Sequence, residues 1–149
     1  MAELSKIPNL LLISSNVKTL YFCLFAKDIG THIDVFDITQ AHFVYDPERK
    51  HNLQTMALEF IQENIPLIKD LRKENFEEVQ SQKNFEFGFA KRLYSGIRIY
   101  PWVSKKINEN GTAPLYNDLD APLMPILAKM EWLGVNLDTK FYGELEKEF

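Results

Sequence analysis

The 149-residue chain has a single cysteine, Cys23, which excludes an internal disulfide and any metal site built from several thiolates. A reducing compartment is the economical expectation, and Cys23 itself reads as a small buried hydrophobe. Long hydrophobic runs are missing too. Leu10 to Ile13 and Tyr21 to Ala26 are separated by Ser14, Asn16 and Lys18, too short and too interrupted to span a bilayer or form a secretory leader. These absences predict a cytoplasmic chain with no membrane partner. Histidine is scarce, and His32, His42 and His51 are too scattered for a convincing metal or acid–base set, which leaves them capping or core roles. No glycine-rich phosphate loop and no nucleophile elbow occurs. Net charge is small as well: 17 Lys and Arg against 21 Asp and Glu give −4, too mild to force a polyanionic or a cationic partner.

What is present, 46% apolar and 26% charged residues, is the balance of one soluble domain of ordinary size. The charge is unevenly placed. Residues 1–65 carry five basic and eight acidic side chains, residues 66–110 nine and six, and residues 111–149 three and seven. The middle segment is therefore the one basic stretch.

Asn9 to Ile13 reads as a strand and Ser14-Ser15-Asn16 as a turn. Leu20, Leu24 and Phe25 then follow at helical spacing as far as Gly30. Ile33 to Phe36 alternates like a second strand, Asp37 caps a helix carrying Ala41, Val44 and Tyr45, and Asp46-Pro47 stops it. Asn52 caps a further helix with Met56, Ala57, Phe60 and Ile61 on one face, ended by Pro66. Strand, helix, strand, helix predicts an α/β layered domain. The middle segment is helical by pattern, with Phe85, Phe89, Leu93 and Ile97 at every fourth position, weakened by Gly96 and Pro101. Asn108 to Pro114 is a linker signal that predicts a boundary. Beyond it Leu119, Leu123, Ile126, Leu127 and Met130 form an apolar stripe terminated by Gly134, and Asp138-Thr139 opens a helix that Phe149 cuts short, suggesting a missing continuation.

The run Asp120-Ala121-Pro122-Leu123-Met124-Pro125-Ile126-Leu127-Ala128-Lys129-Met130-Glu131-Trp132-Leu133-Gly134-Val135-Asn136-Leu137-Asp138 resembles the entry to the polymerase domain of the family A polymerases, the bacterial DNA polymerase I type. The family pattern there is Glu-x-Pro-Leu, Leu-Ala-x-Met-Glu, Gly-Val or Gly-Ile, and Asp, with Asp120 in place of the usual Glu. Upstream, Phe36-Asp37-Ile38-Thr39-Gln40-Ala41-His42-Phe43, Asp46-Pro47 and His51-Asn52-Leu53 resemble a run in the family's 3′–5′ exonuclease domain, and Asn16-Val17-Lys18 resembles the start of that domain's second motif. The resemblance implies a partial ribonuclease-H-like 3′–5′ exonuclease fold over residues 1–113, helix-rich and lacking strands that precede Met1 in the family. Helices at the base of the polymerase thumb would follow over residues 114–149. It also implies a bacterial source, roles in DNA replication and repair, and the remainder of a polymerase chain as a partner.

In the family, carboxylates from three motifs hold two divalent metals that stabilise the attacking and leaving oxygens. Here the first motif is absent before Asn16, and Asp46-Pro47-Glu48 matches its spacing only on a proline turn after the second motif. Leu20 stands where the second motif has its Asp, and Phe89-Ala90-Lys91-Arg92-Leu93 puts Leu93 where the third has its own. Leucine cannot ligate a hard cation. Tyr116-Asn117-Asp118-Leu119-Asp120 fits the third spacing but overlaps the polymerase entry. The expectation is a chain with neither exonuclease nor polymerase activity of its own and no cofactor, although the parent polymerase would use Mg²⁺. The basic segment offers Lys91, Arg92, Arg98, Lys105 and Lys106 with Phe89, Tyr94, Tyr100 and Trp102 interleaved, a stripe for weak, non-specific DNA contact or a solvated helix face. The competing readings are a free-standing interaction module derived from such a polymerase and, behind it, an active nuclease.

Overall fold

The computed structural model describes residues 7–28, 33–72 and 79–148. The elements run β1 (Leu11–Ser14), α1 (Val17–Phe25), β2 (Asp34–Asp37), α2 (Ile38–Tyr45), α3 (Leu53–Ile61), α4 (Ile68–Leu71), α5 (Val79–Glu109), a π-helical turn (Leu115–Asp120), α6 (Ala121–Leu133) and α7 (Thr139–Glu148). The architecture is helix-rich around a small parallel sheet, compatible with the expected α/β class. Gly30 and His32 lie outside the described residues.

β1 and β2 pair in parallel with Leu12 opposite Val35 and Ile13 opposite Phe36. Successive side chains of a strand point to opposite faces, and both faces are covered here. Val35 packs with Val17, Tyr21, Leu24 and Ala128, where α6 lies along α1. Phe36 and Ile13 enter the larger core of Ile38, Ala41, Met56, Ala57, Ile99, Val103 and Ile107. A two-stranded sheet is marginal by itself, so these helix layers hold it together.

The caps follow the local rules. The Asn16 side chain accepts from Thr19 N–H at 3.1 Å, Asn52 from Thr55 at 2.9 Å, and Asp138 from Lys140 and Phe141 at 3.1 Å each. At Gly134 the φ of +70° that ends α6 is one that glycine adopts without a Cβ clash.

Asp37 does more than cap. Its Oδ1 accepts from Thr39 and Gln40 at the start of α2, at 2.8 and 3.1 Å, while Oδ2 accepts from Val17 at the start of α1, at 2.9 Å. One carboxylate thus serves two helix N-termini, where orphan N–H groups and the helix dipoles favour negative charge. The Asp37 N–H donates to the Tyr116 hydroxyl at 2.8 Å, fixing the π-helical turn to the strand end. Tyr116 and Tyr100 flank the Phe36 ring, each with centroids 4.9 Å from it. Burial pushes the pKa of both the Asp37 carboxyl and the Tyr116 hydroxyl up, in Asp37 against the lowering effect of its three backbone donors.

The structure corrects the expectations for α5, for Cys23 and for the end of α3. α5 is one continuous helix through Gly96 and Pro101. Pro101 removes the N–H that would bond the Ile97 carbonyl, but this side of the helix is exposed and water can serve the freed oxygen. Its core face is Ser95, Ile99, Val103 and Ile107, whereas Phe89, Leu93 and Ile97 are 41, 58 and 60% exposed. The α6 stripe also faces outward: Leu123, Ile126, Met130 and Leu133 are exposed, while Ala128 is the residue turned onto α1. Cys23, expected to be buried, is exposed because the inner face of α1 is taken by Val17, Tyr21 and Leu24. α3 ends at Ile61, four residues before Ile65, with Gln62 in the left-handed region and Glu63 N–H reaching the Ala57 carbonyl at 3.2 Å.

Removing the Tyr116 hydroxyl strands a buried N–H, so Tyr116→Phe is expected to cost about 1–3 kcal/mol. Asp37→Ala removes two capping bonds and the Val17 acceptor together and should cost more, about 2–4 kcal/mol. Urea denaturation followed by circular dichroism measures both; a cost below about 0.5 kcal/mol, the range of ordinary surface substitutions, would show that the junction does not hold the layers.

Candidate nucleic-acid interface

A cleft of about 570 Å³ opens beyond the C-terminal end of β1, bounded by α1, the start of α3, α4 and the middle of α5. The position follows from parallel topology, in which the strand ends and the helix N-termini that follow them leave a crevice. Leu20 and Leu93 both line it. The two positions that the resemblance equates with metal carboxylates, far apart in sequence, are thus brought to one wall-to-wall space. Around them stand Asn16, Thr19, Thr39 and Asn52, neutral residues at the starts of α1, α2 and α3, with Cys23, His51, Phe89, Arg72 and Arg92. The described lining contains no Asp or Glu, so it offers a divalent cation none of the carboxylates by which Mg²⁺ is usually held. Among the described residues no group of three or more His, Cys, Asp or Glu could hold a metal ion.

The other carboxylates that matched a motif spacing are placed elsewhere. Asp46 lies on the turn after α2 and accepts from Arg49 at 2.8 Å. Tyr116 is buried in the core, and Asp120 borders a second cleft beside Asp37 and Lys18.

The five cations lie on one helix, as the continuity of α5 allows, but each has an intramolecular partner. Lys91 Nζ donates to the Asn64 carbonyl at 2.8 Å and Arg92 Nη1 to the Pro66 carbonyl at 2.7 Å. Arg98 pairs with Glu63 and its guanidinium lies 5.7 Å above the Tyr94 ring. These three therefore fasten the irregular segment between α3 and α4, whose backbone carbonyls have no ladder to join. Gly88 assists from the same helix, since a Cβ there would sit 2.5 Å from Leu71 Cδ2. Burial lowers the pKa of Arg92, the guanidinium set deepest in the cleft wall. Lys105 and Lys106 share Glu109 at 3.5 and 3.4 Å and remain 64 and 37% exposed.

The sequence reading missed Arg72 and the neutral caps in the cleft, and it missed that three of the cations hold a carbonyl-rich segment. The available signal was that 62–67 carries Pro66 and no helical or strand period, so something else had to satisfy its backbone.

No helix among the described residues is long and apolar enough to cross a membrane. No family model matches the chain, and no solved structure matches it. DNA polymerase I of Treponema pallidum (strain Nichols) is 25% identical over 152 residues, an alignment covering 94% of this chain and 14% of that protein. The chain spans about one seventh of the length of that curated relative. It is a distant relative of one segment of a DNA polymerase I.

Proposed function

We propose that the chain is a non-catalytic scaffold within a polymerase of the DNA polymerase I type, serving DNA replication and repair. In this reading residues 1–113 form a degenerate ribonuclease-H-like 3′–5′ exonuclease domain, and residues 114–149 begin the polymerase domain at the base of the thumb. The observation that carries it is the convergence of Leu20 and Leu93 on one cleft whose described lining is free of carboxylates. An exonuclease needs charge stabilisation on two oxygens, and leucines, neutral caps and two arginines supply no carboxylate to hold the metals that would give it. Similarity to a segment of a DNA polymerase I supports the placement within such a polymerase.

The scaffold has two working surfaces. The outward row Leu123, Ile126, Met130 and Leu133 is the face for the remainder of the polymerase chain, since apolar residues so exposed call for a partner. The basic side of α5 is the face for DNA phosphates, where Lys105, Lys106 and Arg98 are the more available cations. Lys91 and Arg92 would first have to release carbonyls. The contact is weak and sequence-independent.

Incubated with a 3′-labelled strand and Mg²⁺ or Mn²⁺, the chain is expected to release no nucleotides. Digestion that a chelator abolishes would overturn the scaffold reading in favour of an active nuclease.

Primer–template DNA should bind with a dissociation constant on the order of 10⁻⁴–10⁻⁶ M. Three phosphate contacts would give a log–log salt slope of about −2 to −3, from roughly 0.7 per single-strand and 0.9 per duplex contact. The triple variant Arg98→Gln, Lys105→Gln, Lys106→Gln should flatten that slope in fluorescence titrations. Equal binding by parent and variant, or none by either at low salt, would reduce the stripe to a solvated face.

A further inference from the structure

α7 carries an apolar face that the rest of the described chain leaves open. Phe141, Tyr142 and Leu145 are exposed, and no residue of α7 belongs to either core. At 3.6 residues per turn these three side chains fall within about 100° of one another, with Glu144 about 60° beyond Phe141 and Glu146 about 40° beyond Tyr142. Lys140 lies on the far side of the helix. The apolar face is thus edged by a carboxylate on each side, and the lysine is turned away from it. Ten residues that include Gly143 are too few to hold a helix in water by propensity alone, so α7 needs this face packed.

The cleft has the complementary chemistry. Leu20, Ile68, Phe89 and Leu93 give it an apolar wall, and its described lining has Arg72 and Arg92 but no Asp or Glu. Phe89, Leu93 and Ile97 stand at every fourth position of α5, a ridge of the kind against which a second helix packs. Arg72 has no ion-pair partner among the described residues, and Arg92 gives one N–H to the Pro66 carbonyl and keeps further donors. A nucleic-acid strand would need cations in succession, whereas two guanidiniums beside an apolar wall suit an amphipathic helix edged by carboxylates.

We propose that the cleft seats α7 of a second copy of the chain, with Phe141 and Leu145 against Leu20 and Leu93, and with Glu144 and Glu146 at Arg72 and Arg92. The chain's own α7 is badly placed for this seat. Lys18, Phe22 and Phe25 turn to α6 while Thr19, Leu20 and Cys23 turn to the cleft, so α6 and the cleft lie on opposite sides of α1. Residues 134–138 reach about 16–18 Å when extended, a length consumed in rounding a helix about 10–12 Å across. Each copy carries both halves of the contact, so a reciprocal exchange closes a two-fold dimer in which the contact occurs twice. The contact uses neither the outward row of α6 nor Arg98, Lys105 and Lys106, and it stands apart from the surfaces assigned to the polymerase and to DNA.

Sedimentation velocity of the 149-residue chain over about a hundredfold range of concentration should show a monomer–dimer equilibrium. Cys23, the only cysteine, lines the cleft and reports its occupancy, so its reaction with Ellman's reagent should slow as dimer forms. Leu145→Asp on the helix and Leu93→Asp in the cleft, both at exposed positions, should each raise the dimer dissociation constant about tenfold or more and restore the reactivity of Cys23. Arg72→Glu should weaken the dimer, and Glu144→Lys or Glu146→Lys should recover part of the loss in the Arg72→Glu chain. The triple glutamine variant of Arg98, Lys105 and Lys106 should dimerise as the parent does, which separates this test from that of DNA binding. A monomer at every concentration, or a dimer that Ile126→Asp dissolves and Leu145→Asp does not, would overturn the proposal. Cover of Cys23 that Leu145→Asp relieves in a chain that stays monomeric would overturn it too, by seating α7 in its own cleft.

Discussion

The carboxylate of Asp37 is the constraint on which the layers depend. It ends β2, begins α2 and receives the first N–H of α1, so a strand and two helices share one buried anion. The backbone N–H of the same residue is held by Tyr116, which commits the chain beyond α5 to the core as well. Such a node is costly to desolvate and stable only when fully bonded. Thr39 completes it from the side, its hydroxyl donating to the Ser15 carbonyl at 3.0 Å. The ends of β1 and β2 and the starts of α1 and α2 are thereby fixed within a few ångströms, and the position of the cleft follows from that geometry.

α5 is the second determinant. It is too long to be covered by one neighbour, and its faces carry different tasks along its length. Ile99, Val103 and Ile107 fill the core against α2 and α3, each burial contributing about 1.5–3 kcal/mol. Closer to its N-terminus, Lys91, Arg92 and Arg98 satisfy the segment that joins α3 to α4. A positive helix is therefore first a structural device here, while Lys105 and Lys106, nearer its C-terminal end, pair with Glu109 on the same helix. The interaction of Lys18 with Glu131 at 2.7 Å, joining α1 to α6, is of the exposed kind and contributes about 0–1 kcal/mol; the Trp132 ring beside Phe22 and Phe25 contributes more of that contact.

The cleft and the histidine pair show the same physics with opposite outcomes. A space walled by Leu20, Leu93 and uncharged caps has no means of concentrating cations, and its arginines bias it towards anions. The buried His42, whose Nδ1 lies 2.9 Å from Nδ1 of His51, cannot take a charge cheaply, and burial lowers its pKa.

The sequence by itself determined the features that rest on one to four residues of separation. The caps at Asp37 and Asn52, the helix start at Asp138, the stop at Gly134 and the order of the first strands and helices were legible because a side-chain oxygen reaches the backbone two or three positions on. Which face of α5 is buried was not, since two rows of apolar residues, one through Phe89 and Leu93 and one through Ile99 and Val103, both obey the helical period. The same ambiguity hid the outward stripe of α6 and the exposure of Cys23. Only the tertiary structure chose between the rows, by supplying Phe36, Met56 and Tyr116 on one side and a cleft on the other. It alone brought Leu20 to Leu93 and His42 to His51, because proximity between distant residues is set by packing, which no local spacing encodes.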